Sequence, residues 1–337
     1  MIDDQNNPYY LNDFLAYIST ILNKSQNTVK EYNYDLNHFL KYIKYRFGLA
    51  KIDSIANLKE IEIKDLSLDQ ISKITLQDIH SFLAYLKENY NSKPAKKKKK
   101  TSSIRTFFHY LCNKTKLIPN NPALDLETPK LDRRLPKYLT LEESKQLLDT
   151  TSQPTPKSHG HHDNSIRDFC MITLLLNCGM RLSELIGINM SDIDFENNKL
   201  NVIGKGNKER TIYLNEACVT AIKDYLAVRP HDAVKFDSRD ALFLSEQKRR
   251  ISKRTVQYVV KNEIKLAGIE KPDKYSVHKL RHTAATLMYK YGNVDIRALQ
   301  ELLGHESIAT TQIYTHVDNE QVRTAVESNP LAHEKRK

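Results

Sequence analysis

Glycine is scarce in this chain, with nine in 337 residues. With apolar residues mostly three and four apart, that scarcity points to a predominantly helical fold. Cysteine is limited to Cys112, Cys170, Cys178 and Cys218, with no C-x-x-C pairing. A helical chain of this size needs no disulfide framework, so the four are read as reduced and structural. No apolar run approaches the length of a membrane span. The start, Met1-Ile2-Asp3-Asp4, is acidic and lacks the basic and apolar regions of a signal peptide, so a cytoplasmic protein without membrane partners is expected. Gly204-Lys205-Gly206 is too tightly spaced for a Walker loop, and no carboxylate cluster suits two-metal phosphoryl transfer, so neither a cofactor nor a metal is expected. His159, His161 and His162 cluster in a polar loop without other ligands and are read as solvent-exposed.

Positive charge is plentiful: 52 Lys and Arg against 41 Asp and Glu give a net +11. The isoelectric point near 9.2 makes a polyanion, nucleic acid first, the natural partner. The length allows two domains. Val29, Tyr32, Leu36, Phe39, Leu40, Ile43 and Phe47 outline an amphipathic helix capped by Ser25, and Thr75 opens another through Ile79, Phe82, Leu83 and Leu86. Lys96 to Lys100 run into Ile104, Phe107, Phe108 and Leu111, spaced as one helical face. That pattern fits a basic helix start lying on a phosphate backbone, with Lys96, Lys97, Lys98 and Arg105 as candidate contacts. Pro119, Pro122, Pro129 and Pro136, with Lys130, Asp132, Arg133 and Arg134 between the last two, read as an interdomain linker near 130–138.

Beyond it, Thr140 and Glu143 form a capping-box signature. Ile166–Cys178 reads as a buried helix ended by Gly179. Leu200–Ile203 and Arg210–Leu214 read as strands of a hairpin around a glycine-rich basic turn. Helices follow at 216–228 and at 253–267, the second opening with Lys253 and Arg254, two further candidate phosphate contacts. Leu280, Ala284, Leu287, Met288 and Tyr291 recur at helical spacing, predicting a helix that carries His278 and Arg281 together toward its less apolar side. Ile296, Leu299, Leu302 and Leu303 predict a helix stopped by Gly304 in the left-handed conformation. His305 follows at once, and Ser307 caps a short helix that would present Tyr314.

In order, Gly179-Met180-Arg181-Leu182-Ser183-Glu184-Leu185, Gly204-Lys205-Gly206, His278-x-x-Arg281, Leu303-Gly304-His305 and Tyr314 resemble the tyrosine site-specific recombinases, most of all the Xer-type branch of that integrase family. The resemblance covers nearly the whole chain. It implies a mainly α fold with a small β-hairpin or sheet in the catalytic domain, arranged as a two-domain DNA clamp. Residues 1–130 would be the helical core-binding domain, 131–137 the linker, 138–317 the catalytic domain, and 318–337 a tail exchanged with a neighbouring subunit. The implied catalytic set is Arg181, Lys205, His278, Arg281, His305 and the nucleophile Tyr314, with Glu184 in support. The implied activity is strand cleavage and rejoining through a 3′-phosphotyrosine, in chromosome-dimer resolution. Integration of a mobile element, type IB topoisomerase activity and non-catalytic DNA binding are the alternatives. The implied partners are a double-stranded DNA site and a tetramer on two such sites. The resemblance leaves open whether a second recombinase or a DNA translocase takes part. The stretches 50–73 and 151–165 look longer than the family's compact form.

Overall fold

A computed structural model describes residues 5–50, 55–90, 94–128, 137–153, 164–204, 209–232, 234–292 and 294–304. The chain divides into two compact units, Met1–Arg133 and Arg134–Lys337.

The N-terminal unit is helical. Helices α1 (Tyr9–Thr20), α2 (Gln26–Arg46), α3 (Leu68–Ser72), α4 (Leu76–Tyr90) and α5 (Pro94–His109) follow in order. Helices α2 and α3 start where the sequence supplies an acceptor for orphan N–H groups: the Ser25 hydroxyl accepts from the Thr28 N–H, and Ser67 and Gln70 form a reciprocal capping box. Leu36, Phe39, Leu40 and Ile43 of α2 and Ile104, Phe107 and Phe108 of α5 are buried in one core. Phe14 meets Phe107 edge-on, with ring centroids 5.3 Å apart, a geometry worth about 0.5–1.5 kcal/mol beyond area burial. Lys100 reaches Asp35 of α2 at 2.8 Å, and Ser103 donates to the same carboxylate at 3.1 Å. The end of the lysine run is therefore a structural tie.

The stretch 50–73, where it is described, is part of the N-terminal core. Leu58, Ile61, Ile63, Leu66 and Ile71 are buried in that core, and the Tyr10 hydroxyl donates to the Leu66 carbonyl at 3.1 Å. The proline-punctuated segment also contributes Ile118, Ala123 and Leu126 to it.

The C-terminal unit is built on α7 (Ser165–Cys178), buried on almost every side by α6 (Leu141–Ser152), α9 (Glu216–Val228) and α11 (Val277–Tyr291). Its start is fixed by Thr140 and Glu143, which form the expected capping box on α6. Helix α8 (Leu182–Gly187) precedes an antiparallel sheet of β1 (Ile193–Asp194), β2 (Lys199–Ile203) and β3 (Glu209–Tyr213) in that order. In the β2–β3 register Leu200 faces Ile212 and Val202 faces Arg210. Alternation then buries Leu200, Val202 and Ile212 while Asn201, Thr211 and Tyr213 stay exposed. Helices α10 (Lys253–Leu266), α11 and α12 (Ile296–Leu303) complete the unit. Cys170, Cys178 and Cys218 are buried free thiols, with the last two sulfurs 3.6 Å apart.

Two glycines let these elements close on one point. Gly179 ends α7 at φ +57, and a Cβ there would meet Leu303 Cδ2 at 3.0 Å. Gly304 ends α12 at φ +60, and a Cβ there would meet Arg210 Cδ at 3.1 Å. Only glycine combines the left-handed backbone with so close an approach.

Candidate active site

Arg181, His278 and Arg281 line one cleft of about 370 Å³, with Lys253 on its rim. They arrive from separate elements. Arg181 is the N-cap of α8, two residues past Gly179, while His278 and Arg281 share the first turns of α11.

Glu184 is the electrostatic hinge of the site. Its side chain is fully buried and accepts from Arg181 Nη1 and Arg210 Nη2 at 2.8 Å each. It also accepts from the Arg181 backbone N–H at 2.7 Å, while Arg281 Nη1 lies 4.0 Å away. Burial alone would raise its carboxyl. The hydrogen bond from Arg210 opposes this and, with the Arg181 backbone and guanidinium, holds the group below the ordinary carboxylate range.

The end of α12 binds the same cations. Arg210 Nη1 donates to the Leu302 carbonyl, Arg281 Nη2 to that of Leu303, and Arg181 Nη2 to that of Gly304. Three consecutive carbonyls at the negative end of a helix thus each take a guanidinium, a favourable pairing with the helix dipole. Arg281 also donates to the Gly179 carbonyl at 2.7 Å, tying the end of α7 to the end of α12.

This corrects the expected orientation of α11. Arg281 does not face the less apolar side but is 2 % exposed, because backbone carbonyls and Glu184 make a polar socket inside the unit. His278 is exposed, as expected. Tyr291, placed on the apolar face by its spacing, is 64 % exposed, and Leu287 and Met288 are only half-buried. The apolar side chains at that end of α11 join the small cluster around α12.

His278 stacks edge-on to His282 at 4.5 Å between centroids. Desolvation, then the positive charges of Arg281, Lys279 and Arg181, lower its pKa, which favours neutral imidazole at neutral pH. Arg181 keeps 29 % of its side chain exposed, so it is the guanidinium of the pair most open to a ligand. A neutral imidazole beside two fixed guanidiniums can accept a proton and bind an anion of phosphate geometry.

Lys205, His305 and Tyr314 lie outside the described residues, as do the linker, the histidine loop over 154–163, the Ser307 helix and the tail. Of the candidate DNA contacts, Lys96, Lys98, Arg105, Lys253 and Arg254 are exposed and Lys97 is half-buried. None of Lys96, Lys97 and Lys98 pairs with a carboxylate among the described residues, whereas Lys99 pairs with Glu31 at 2.8 Å. Arg210 went unremarked from sequence. A signal was there: strand alternation puts it on the side of the buried Ile212, opposite Val202.

Residues 137–321 match the model of the phage integrase family. The chain is 51 % identical to tyrosine recombinase XerC of Caldanaerobacter subterraneus subsp. tengcongensis, over 97 % of this chain and 88 % of that protein. It is 32 % identical to tyrosine recombinase XerD of Listeria innocua, over 91 % and 93 % of the two chains. Among solved structures, the XerH site-specific recombinase in a post-cleavage complex with a palindromic difH substrate superposes with a TM-score of 0.67 at 22 % identity, over 95 % of this chain and 94 % of that one.

Proposed function

Since the chain belongs to the phage integrase family as a Xer-type tyrosine recombinase, cleaving and religating DNA at specific sites, we propose that Tyr314 is its nucleophile and that Arg181, His278 and Arg281 bind and activate the scissile phosphate in the service of chromosome-dimer resolution. The observation that carries this reading is the meeting of two guanidiniums and a neutral imidazole in one open cleft.

In this reading the Tyr314 oxygen attacks phosphorus, and the bond to the 5′-oxygen breaks to leave a 3′-phosphotyrosine and a free 5′-hydroxyl. A phenol titrates near pH 10, so its proton must pass to a base at neutral pH, and His278 takes it. Charge builds on the non-bridging oxygens, where Arg181 and Arg281 donate in forked fashion and His305 adds a further hydrogen bond. Lys205 protonates the departing 5′-oxygen. The 5′-hydroxyl of a partner strand then attacks the phosphotyrosine, which conserves the bond energy and rejoins the DNA.

Double-stranded DNA is the partner, and the chain assembles on it as an oligomer. We extend this to a tetramer on two sites, formed either by this chain alone or with a second recombinase, and driven where needed by a translocase. Lys96, Lys97, Lys98, Arg105, Lys253 and Arg254 supply phosphate contacts, which position the protein without reading sequence. The test is strand exchange between two labelled duplexes that carry a site the protein binds. Recombinant product is expected, from this chain alone if the tetramer is uniform and only after adding a second recombinase if it is mixed. Relaxation of supercoiled plasmid without any paired-site product would instead indicate a topoisomerase.

A further inference from the structure

Arg210 belongs to neither the catalytic set nor the DNA contacts, yet all three nitrogens of its guanidinium are engaged within the site. Nε and Nη2 hold both oxygens of the Glu184 carboxylate, at 3.2 and 2.8 Å. Nη1 holds the Leu302 carbonyl, and only 14 % of the side chain is exposed. Its strand, β3, leaves the connection that contains Lys205 in sequence, and its neighbour Gly304 has no Cβ because Arg210 Cδ occupies that space.

We propose that Arg210 is a positioning residue for the recombination reaction: by bracing Glu184 against the end of α12, it sets the Arg181 and Arg281 guanidiniums for the scissile phosphate and links them to the hairpin strand that follows Lys205. The inference rests on the recombinase reading above. The geometry forms a closed circuit. Arg210 fixes Glu184 and Leu302. Glu184 fixes Arg181, and the last carbonyls of α12 receive Arg281 and Arg181. Without Arg210, each carboxylate oxygen keeps only its contact with Arg181, and the Leu302 carbonyl loses its guanidinium. Glu184 and the α12 end then no longer restrain each other. The charged groups facing Glu184 are Arg181 at the start of α8, Arg210 on β3 and Arg281 on α11. Removing Arg210 therefore leaves burial opposed by two cations, only one of them in contact.

The test compares wild type with Arg210→Met and Arg210→Lys on a nicked suicide duplex, measuring DNA affinity, single-turnover cleavage at saturating DNA, and its pH profile. Misplacement by about 1 Å costs on the order of a hundredfold in rate. Arg210→Met is expected to lose about that much in single-turnover cleavage while DNA affinity changes less than about threefold. The acid limb, which His278 sets in wild type, moves to higher pH in this variant, because Glu184 then protonates more readily and its loss of charge adds to protonation of the base. Arg210→Lys, which keeps the charge and at least one hydrogen bond, regains most of the rate and the wild-type acid limb. A merely structural role would lower the active fraction without moving the pH limb. Equal cleavage rates in wild type and Arg210→Met, or an unmoved acid limb in both variants, would overturn the inference while leaving the recombinase reading intact. If Arg210→Met fails to fold, Arg210→Lys decides through cleavage rate and DNA affinity, because loss of the fork at retained charge must still slow cleavage severalfold at unchanged affinity. A wild-type protein that binds the duplex but forms no adduct, either alone or with a second recombinase added, sinks the recombinase reading and this inference with it.

Discussion

Replacing Glu184 with alanine perturbs the point on which both halves of the site depend. The carboxylate is fully buried, takes Arg181 and Arg210 at 2.8 Å, and has Arg281 at 4.0 Å. Alanine leaves three cations around an apolar void, two of them largely buried. Breaking a buried pair from one side costs about 3–5 kcal/mol, and the partial exposure of Arg181 places this case near the lower end, about 3–4 kcal/mol. For a unit of roughly 200 residues, each kcal/mol moves Tm by about 2–4 °C, so a drop of about 6–16 °C follows. Glutamine keeps an acceptor for the Arg181 N–H and fills the space but loses the charge, so it is expected to fall between alanine and wild type. Scanning calorimetry of the intact protein at pH 7 reads both. The pH dependence has a definite sign. The folded carboxyl lies below its ordinary value, so its stabilisation is complete above about pH 4.3 and is lost as pH falls through the folded value. The wild-type advantage over Glu184→Ala should therefore narrow in acid. A variant within 1 kcal/mol of wild type at pH 7, or alanine and glutamine with equal penalties, would refute the electrostatic account of this site.

Three other outcomes follow. The pKa of His278 is lowered in the free protein, so the acid limb of kcat/KM should fall below the ordinary imidazole value of about 6.5. His278→Ala should remove that limb and about a hundred- to ten-thousandfold in rate; a wild-type limb above pH 7 would contradict the assignment. Arg181→Lys keeps a charge but not the fork, and single-turnover cleavage should drop about a hundred- to a thousandfold. Replacing Lys96, Lys97 and Lys98 with alanine should flatten the slope of log affinity against log salt by up to about 2.7, at roughly 0.9 per phosphate. Tm should hold in that variant, whereas Lys100→Met breaks the buried pair with Asp35 and should cost about 3 kcal/mol; calorimetry beside a salt titration separates the two.

What the sequence disclosed depended on whether the signal was local. The stop of α12 at Gly304 and the span of α9 over Glu216–Val228 agree with the reading from apolar spacing and turn chemistry, because caps and periodicity are properties of neighbouring residues. The two-residue strand β1 had too little sequence to carry a period. Burial of Arg281 was misread because its partners, the carbonyls of Gly179 and Leu303, belong to distant segments that helical periodicity does not sense. The stretch 50–73 looked like extra material, since its buried residues sit on short turns with no sustained repeat. Arg210 was legible only through strand parity, which marks an inward side chain but not the carboxylate and helix end it serves.

The central claim, that Tyr314 attacks a phosphate held by Arg181 and Arg281, is tested most directly by locating the covalent bond. The protein is trapped on a nicked suicide duplex in the presence of a chelator, digested with protease and nuclease, and the nucleotide-bearing peptide is sequenced by mass spectrometry. A 3′-phosphonucleotide on Tyr314 is predicted, with no adduct from Tyr314→Phe and a sharply reduced yield from Arg181→Lys. An adduct on another residue, or undiminished adduct from Tyr314→Phe, would contradict it.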